Sequence, residues 1–187
     1  PMLENKVVVI SGVGPALGTT LARRFAEAGA DLVLASRTAE RLTEVADQVK
    51  SMGRRALAVS TDITDDEQVA NLVTRSLEEY GKVDVLINNA GNMYRQAVDQ
   101  YSENVLKEAF ETNVIAAMML SSLAVPLLEA SRGAILFMGS IHNRRAYPGA
   151  SPYAATKAAV EGLSRAMAAE LGRRGIRVSC VLPGAVN

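Results

Sequence analysis

The chain has 187 residues, 49% of them apolar and 21% charged, enough to bury a sizeable core and the opposite of a disordered composition. Its 20 Lys and Arg residues offset 20 Asp and Glu residues, so the formal net charge is zero with the single His neutral. That excludes a long-range pull toward nucleic acid or an anionic membrane, and any ligand must be recognised by a local site. One cysteine, Cys180, excludes an intramolecular disulfide, and its apolar neighbours read as the setting of a buried, inert thiol. The first residues, Pro1 to Lys6, do not follow the pattern of a secretory signal, and no apolar run approaches bilayer-spanning length. The expectation is a soluble, cytoplasmic protein.

In chain order, the pattern predicts a strand at 7–10, a helix at about 17–29, a strand at 32–35, a helix at 39–52 and a strand at 56–59. A helix at 66–80, a strand at 83–87, a long helix at 103–130, a strand at 134–138, a helix at 153–174 and a strand at 177–182 follow. Short Val, Ile and Leu runs alternating with helical periods predict α/β architecture with helices on both faces of a parallel sheet. Right-handed crossovers then predict a Rossmann-like doubly wound sheet of order 3-2-1-4-5-6, in one domain spanning 1–187. Gly29, Gly53, Gly81, Gly172 and Gly175 stand where left-handed residues end helices, and Asp65 and Ser102 stand where caps begin them. The irregular stretch is 141–152.

After the first strand comes Ser11-Gly12-Val13-Gly14-Pro15-Ala16-Leu17-Gly18, leading into a helix. Gly12 permits a tight turn, while Gly14 and Gly18 allow close backbone approach and leave the helix N-terminus facing a pyrophosphate. The second strand ends at Ser36-Arg37, where the adenosine ribose of a dinucleotide would lie. A carboxylate there would favour a free 2′-hydroxyl; a hydroxyl followed by a guanidinium suits a 2′-phosphate, so the sequence leans toward NADP over NAD.

Tyr153 and Lys157 are four residues apart at a helix start and share a face. An ammonium beside a phenol favours the tyrosinate and suits Tyr153 to proton exchange with an alcohol or carbonyl. Ser140 ends the fifth strand, and its hydroxyl can hydrogen-bond the same substrate oxygen. Asn113, amid apolar residues of the long helix, either satisfies backbone groups locally or holds a water.

With Asp62-Ile63, Asn88-Asn89-Ala90-Gly91, Tyr153-Ala-Ala-Thr-Lys157 and Pro183-Gly184 in the same order, the whole chain resembles the short-chain dehydrogenase/reductase family. The resemblance implies Tyr153 as general acid/base, Lys157 as its partner and a binder of the nicotinamide ribose, Ser140 as the residue orienting the carbonyl, and Asn113 as anchor of a relay water. It also implies adenine contacts from Asp62 and Ile63, an adenosine-side wall from Asn89, Ala90 and Gly91, and nicotinamide contacts from Pro183 and Val186. It further implies a homodimer or homotetramer joined through the long and the last helices. Two departures stand out: Ala16 replaces the central loop glycine, which predicts altered cofactor contact. The sequence also stops at Asn187, short of the family's substrate-covering helix and seventh strand, which predicts a pocket lacking one wall.

His142 has no carboxylate or cysteine neighbours from which to build a metal site, and is assigned no catalytic role; pocket lining or a solvated loop position remain open. Arg144 and Arg145 would suit an anionic substrate if they faced the pocket. Met93, Tyr94 and Arg95 read as substrate-reaching or loop-packing residues, and Met118, Met119 and Leu120 as helix core. The sequence thus predicts an NADP-preferring oxidoreductase acting on a ketone or secondary alcohol; the alternative is a catalytically silent dinucleotide-binding or scaffold protein.

Overall fold

Alternation along the first strand decides which helices cover which face of the sheet. In the computed structural model, which describes residues 1–145 and 147–184, the strands are β1 (Val7–Ser11), β2 (Asp31–Ser36), β3 (Ala56–Ser60), β4 (Val85–Asn88), β5 (Ala134–Met138) and β6 (Arg177–Val181). All pairings are parallel, in the order β3-β2-β1-β4-β5-β6. The helices are α1 (Leu17–Glu27), α2 (Ala39–Ser51), α3 (Asp66–Tyr80), α4 (Glu103–Phe110), α5 (Ala116–Ser131) and α6 (Ser151–Leu171). Val7 and Val9 pack with Val33, Leu86 and Phe137 under α3, α5 and α6, while Val8 and Ile10 pack with Leu32 and Leu34 under α1 and α2. Successive strand residues point to opposite faces, so a strand buried on both faces reads as an unbroken apolar run.

Helix boundaries depart from expectation in several places. The predicted helix 103–130 is α4 and α5 joined by a π turn over Glu111–Ile115; one extra residue per turn leaves no mark on an apolar pattern. The predicted helix 153–174 starts earlier, with Pro152 in its first turn, and closes in a 3₁₀ turn over Gly172–Arg174. Gly175 supplies the left-handed φ of 80° there, whereas Gly172 remains right-handed at −57°. Asp65 caps α3 by accepting from the N–H groups of Glu67 and Gln68, but Ser102 makes no side-chain cap.

The α4 to α5 run also corrects two other expectations. Taken as 29 continuous residues, it is long and apolar enough to cross a membrane by length and composition alone. Leu120, Ala124 and Leu128 face the sheet core, but Met118 and Met119, expected in the core, are 44% and 40% exposed. They share the outer side with Ile115 and Leu123, because a helix on a sheet buries only one stripe.

At the strands' amino ends, opposite the site described below, buried Asp84 accepts from the Val7 N–H at 2.9 Å and from Lys6 Nζ at 3.0 Å, with Lys82 Nζ 3.2 Å away. Burial pushes this carboxyl up, but the Val7 N–H and the two ammonium groups outweigh it and hold it below its ordinary range. A depressed folded value means stability that is present above the unfolded carboxyl's titration and lost as pH falls through the folded one. Asp84→Asn should therefore destabilise the protein by about 2 kcal/mol at neutral pH, the half-exposed lysines adding little. Denaturant titrations at neutral pH and through the acid range check this: the gap between variant and wild type should narrow as pH falls.

Candidate active site

The strands' carboxyl ends open into one cleft of about 1140 Å³ that holds the glycine loop at one end and Ser140, Tyr153 and Lys157 at the other. At the loop, Gly12 has φ +71°, and a Cβ there would stand 2.4 Å from Ala90 Cα. A Cβ on Gly18 would lie 2.4 Å from the Gly12 carbonyl oxygen, whereas one on Gly14 meets nothing closer than 4.0 Å. Gly12 and Gly18 thus bring backbone against backbone, and Gly14 keeps its space open toward the cleft. Thr19 closes the loop, its Oγ1 donating to the Gly14 carbonyl at 2.7 Å. The N–H groups of Leu17 and Gly18 begin α1 without a backbone carbonyl partner.

Ser11, quoted in the loop motif but given no role of its own by the sequence reading, ties this loop to β4: its Oγ accepts from the N–H groups of Asn89 and Ala90, both at 3.2 Å. Asn89 Nδ2 donates to the Gly12 carbonyl at 2.8 Å. The Asn89-Ala90-Gly91 segment is therefore both a wall of the cleft and the brace of the glycine turn.

Beyond β2, Ser36, Arg37, Asp62 and Ile63 line the cleft as expected, joined by Arg41, which the sequence reading passed over. Arg41 stands on the first turn of α2, four residues from Arg37, paired with Glu44 at 3.0 Å; the spacing itself was the available signal. Ser36 Oγ is buried without a hydrogen-bond partner. Asp62 accepts from Thr64 N at 3.0 Å and Thr64 Oγ1 at 2.7 Å, and these bonds, with a smaller effect of nearby Arg37, hold its carboxyl below the ordinary range despite desolvation.

At the other end, Lys157 is 5% exposed and donates to the Met138 carbonyl at 2.7 Å, with Nζ 5.6 Å from the Tyr153 ring centre. Burial pulls its ammonium down to about 8. Ser140 follows β5 in extended conformation and opens a 3₁₀ turn over Ile141–Asn143, its Oγ accepting from the His142 N–H at 3.2 Å and standing 3.1 Å from His142 Nδ1. His142 lines the cleft, stacked on Tyr147 at 4.3 Å and edge-on to Tyr153 at 5.2 Å.

Asn113 lies in the π turn, 2% exposed. Its Oδ1 accepts from Asn92 N at 2.9 Å, and its Nδ2 donates to the Asn92 carbonyl at 2.9 Å and to Thr156 Oγ1 at 3.1 Å. The backbone that the carboxamide satisfies is not that of its own helix but that of Asn92, 21 residues earlier. Thr156 in turn donates to the Tyr153 carbonyl at 2.8 Å, so Asn113 braces the first turn of α6.

Met93 and Arg95 line the cleft; Tyr94 is buried between them, its hydroxyl 3.2 Å from both Glu108 and Thr112. Neither Arg144 nor Arg145 lines the cleft, and Arg144 instead pairs with Glu161 on α6. Cys180 is half-buried on β6, where desolvation pushes its thiol up. Pro183 lines the cleft, and Val186 lies outside the described residues.

Residues 6–187 match the family model for short chain dehydrogenases. An uncharacterized oxidoreductase of Mycobacterium tuberculosis (strain CDC 1551 / Oshkosh) is 37% identical over 186 residues, covering 98% of this chain and 70% of the relative. The 7alpha-hydroxysteroid dehydrogenase of Escherichia coli K12 is 34% identical, covering 98% and 72%. A short chain dehydrogenase from Burkholderia cenocepacia J2315, solved in complex with NADP, superposes with a TM-score of 0.94 at 34% identity over 100% of this chain and 78% of that one. Carveol dehydrogenase from Mycobacterium avium, in complex with NAD, gives 0.92 at 31% over 97% and 71%. With the strand order and the cleft already in agreement, a match along nearly its whole length makes this chain a member of the short-chain dehydrogenase family of oxidoreductases.

Proposed function

We propose that this chain interconverts a ketone and its secondary alcohol with NADP as the preferred hydride carrier and Tyr153 as the proton donor or acceptor. The observation that carries the reading is the meeting of Ser140, Tyr153 and buried Lys157 with the glycine loop, Ser36, Arg37 and Arg41 in one cleft. The residues fit a dinucleotide: Gly14 leaves open toward the cleft the space that a Cβ would occupy, and the Ser36 hydroxyl is a buried polar atom without a protein partner. When bound, the nicotinamide supplies or takes up the hydride.

The chain's own groups do the rest. The free N–H groups of Leu17 and Gly18 suit a pyrophosphate, Asp62 and Ile63 an adenine edge, Asn89 to Gly91 the adenosine side, and Pro183 the nicotinamide. Ser140 holds the substrate oxygen, Tyr153 moves the proton, and Lys157 supports the phenolate and reaches the ribose. Asn113 serves this geometry by clamping Asn92 and Thr156. The exposed apolar side of α4 and α5, with Phe110, Ile115 and Leu123, is the surface through which a homodimer or homotetramer would form.

Two guanidinium groups beside an unpaired hydroxyl suit a 2′-phosphate, which accepts bidentate bonds. Arg41→Ala should weaken NADPH binding about tenfold, roughly 1.4 kcal/mol, and leave NADH within about twofold. Fluorescence titration of both cofactors checks this; equal weakening would remove the NADP preference. Binding of either cofactor without turnover across a ketone and alcohol panel would favour the silent scaffold.

A further inference from the structure

The Ser140 hydroxyl has one hydrogen and two lone pairs, and His142 already claims part of that capacity. Ser140 Oγ accepts from the His142 backbone N–H at 3.2 Å, and the ring's Nδ1 stands 3.1 Å away. If Nδ1 is bare, the Ser140 hydrogen is drawn to it and none remains for a substrate oxygen. If Nδ1 carries hydrogen, both lone pairs of Ser140 are filled, and its single hydrogen is left to the cleft. We propose that His142 is a positioning residue whose Nδ1 sets the direction of the Ser140 hydroxyl; the proposal rests on the reading of Ser140 as the residue that holds the substrate oxygen.

The surroundings hold the imidazole in place for this role. Its ring lies between Tyr147, 4.3 Å away and tilted by 30°, and Tyr153, edge-on at 5.2 Å. The turn that carries it is anchored to α6, where Glu161 takes hydrogen bonds from Asn143 and Arg144. The titratable and charged groups around the ring are Tyr147 from its own loop, Tyr153 from α6 with Lys157 one turn behind it, Glu161 through those neighbouring residues, and Arg144 and Arg145 beyond the turn. Protonation of the imidazole forces hydrogen onto Nδ1, so carbonyl reduction should gain an acid-favoured limb.

His142 is the single histidine of the chain, so ¹⁵N-histidine NMR reads its tautomer and titration without ambiguity. The ring ¹⁵N chemical shifts should change in Ser140→Ala, and identical spectra would overturn the proposal. Kinetically, His142→Phe keeps an aromatic ring against both tyrosines but removes Nδ1. Reduction kcat should fall about tenfold with KM within about threefold, and the acid limb should vanish. His142→Asn, which restores an N–H donor near the Nδ1 position, should recover part of kcat without the acid limb. In a Ser140→Ala background, His142→Phe should have no further effect, whereas a purely structural role would remain additive. Unchanged kcat and pH dependence in His142→Phe, with melting temperature as the folding control, would also overturn the proposal. A wild-type chain without turnover would refute the oxidoreductase reading, and the NMR comparison would still decide the contact between His142 and Ser140.

Discussion

Replacing Tyr153 with Phe should lower turnover about a thousandfold while leaving NADPH affinity within about twofold and the melting temperature unchanged. The variant deletes one oxygen. Among the described residues, that hydroxyl makes no hydrogen bond to protein, so folding has no stake in it, whereas the ring's edge contact with His142 survives in Phe. The loss should fall on kcat, because the proton moves only in the transition state. Lys157 gives the same assignment a pH signature. With its ammonium pulled down to about 8 by burial, it is mostly charged at pH 7 and mostly neutral by pH 9, so reduction by the wild type should decline as pH rises past about 8. The residual activity of Tyr153→Phe should lack that decline. Single-turnover rates across this range are the measurement, and wild-type rates in the Phe variant would remove Tyr153 from the chemistry.

Gly12→Ala should destabilise the fold by about 3 kcal/mol or more, from left-handed strain and a clash that cannot relax, lowering the melting temperature by roughly 6–12 °C. The added Cβ would stand 2.4 Å from Ala90 Cα and 2.6 Å from Ala90 N. Neither neighbour can retreat easily: Ala90 N–H is bound to Ser11 Oγ, and the Gly12 carbonyl is bound by Asn89 Nδ2. Gly14→Ala supplies the contrast. Its Cβ meets nothing within ordinary contact distance, so the melting temperature should stay near the wild type while cofactor affinity falls. Thermal melts paired with NADPH titration separate the two; equal melting of Gly12→Ala and wild type would refute the backbone argument.

The strands were legible because burial on both faces leaves continuous runs such as Val7 to Ile10, and their order followed from crossover handedness. The glycine loop and the Tyr153 to Lys157 pair were legible because each is a local spacing on one element. What escaped depends on residues brought together from far apart. Nothing near Asn113 in sequence announces its clamp on Asn92, 21 residues away, or its bond to Thr156, 43 away. His142 remained open between loop and pocket because its partners Tyr147 and Tyr153 meet it only once the turn folds back on α6. Met118 and Met119 were misplaced because an apolar residue reads the same on either side of a helix, and only the position of the sheet tells them apart.

Tyr153, Thr156, Lys157 and Glu161 all stand on α6, within about two and a half turns of one helix. Their mutual placement is therefore a matter of counting as much as of chemistry. At 3.6 residues per turn, one inserted or deleted residue rotates everything beyond it by about 100°. A one-residue insertion between Tyr153 and Lys157 would swing the ammonium away from the cleft even though every functional residue remained. This stretch should accept exchanges at its outward positions and reject any change in length, so relatives that differ freely in the loop before α6 should keep the same residue count within it.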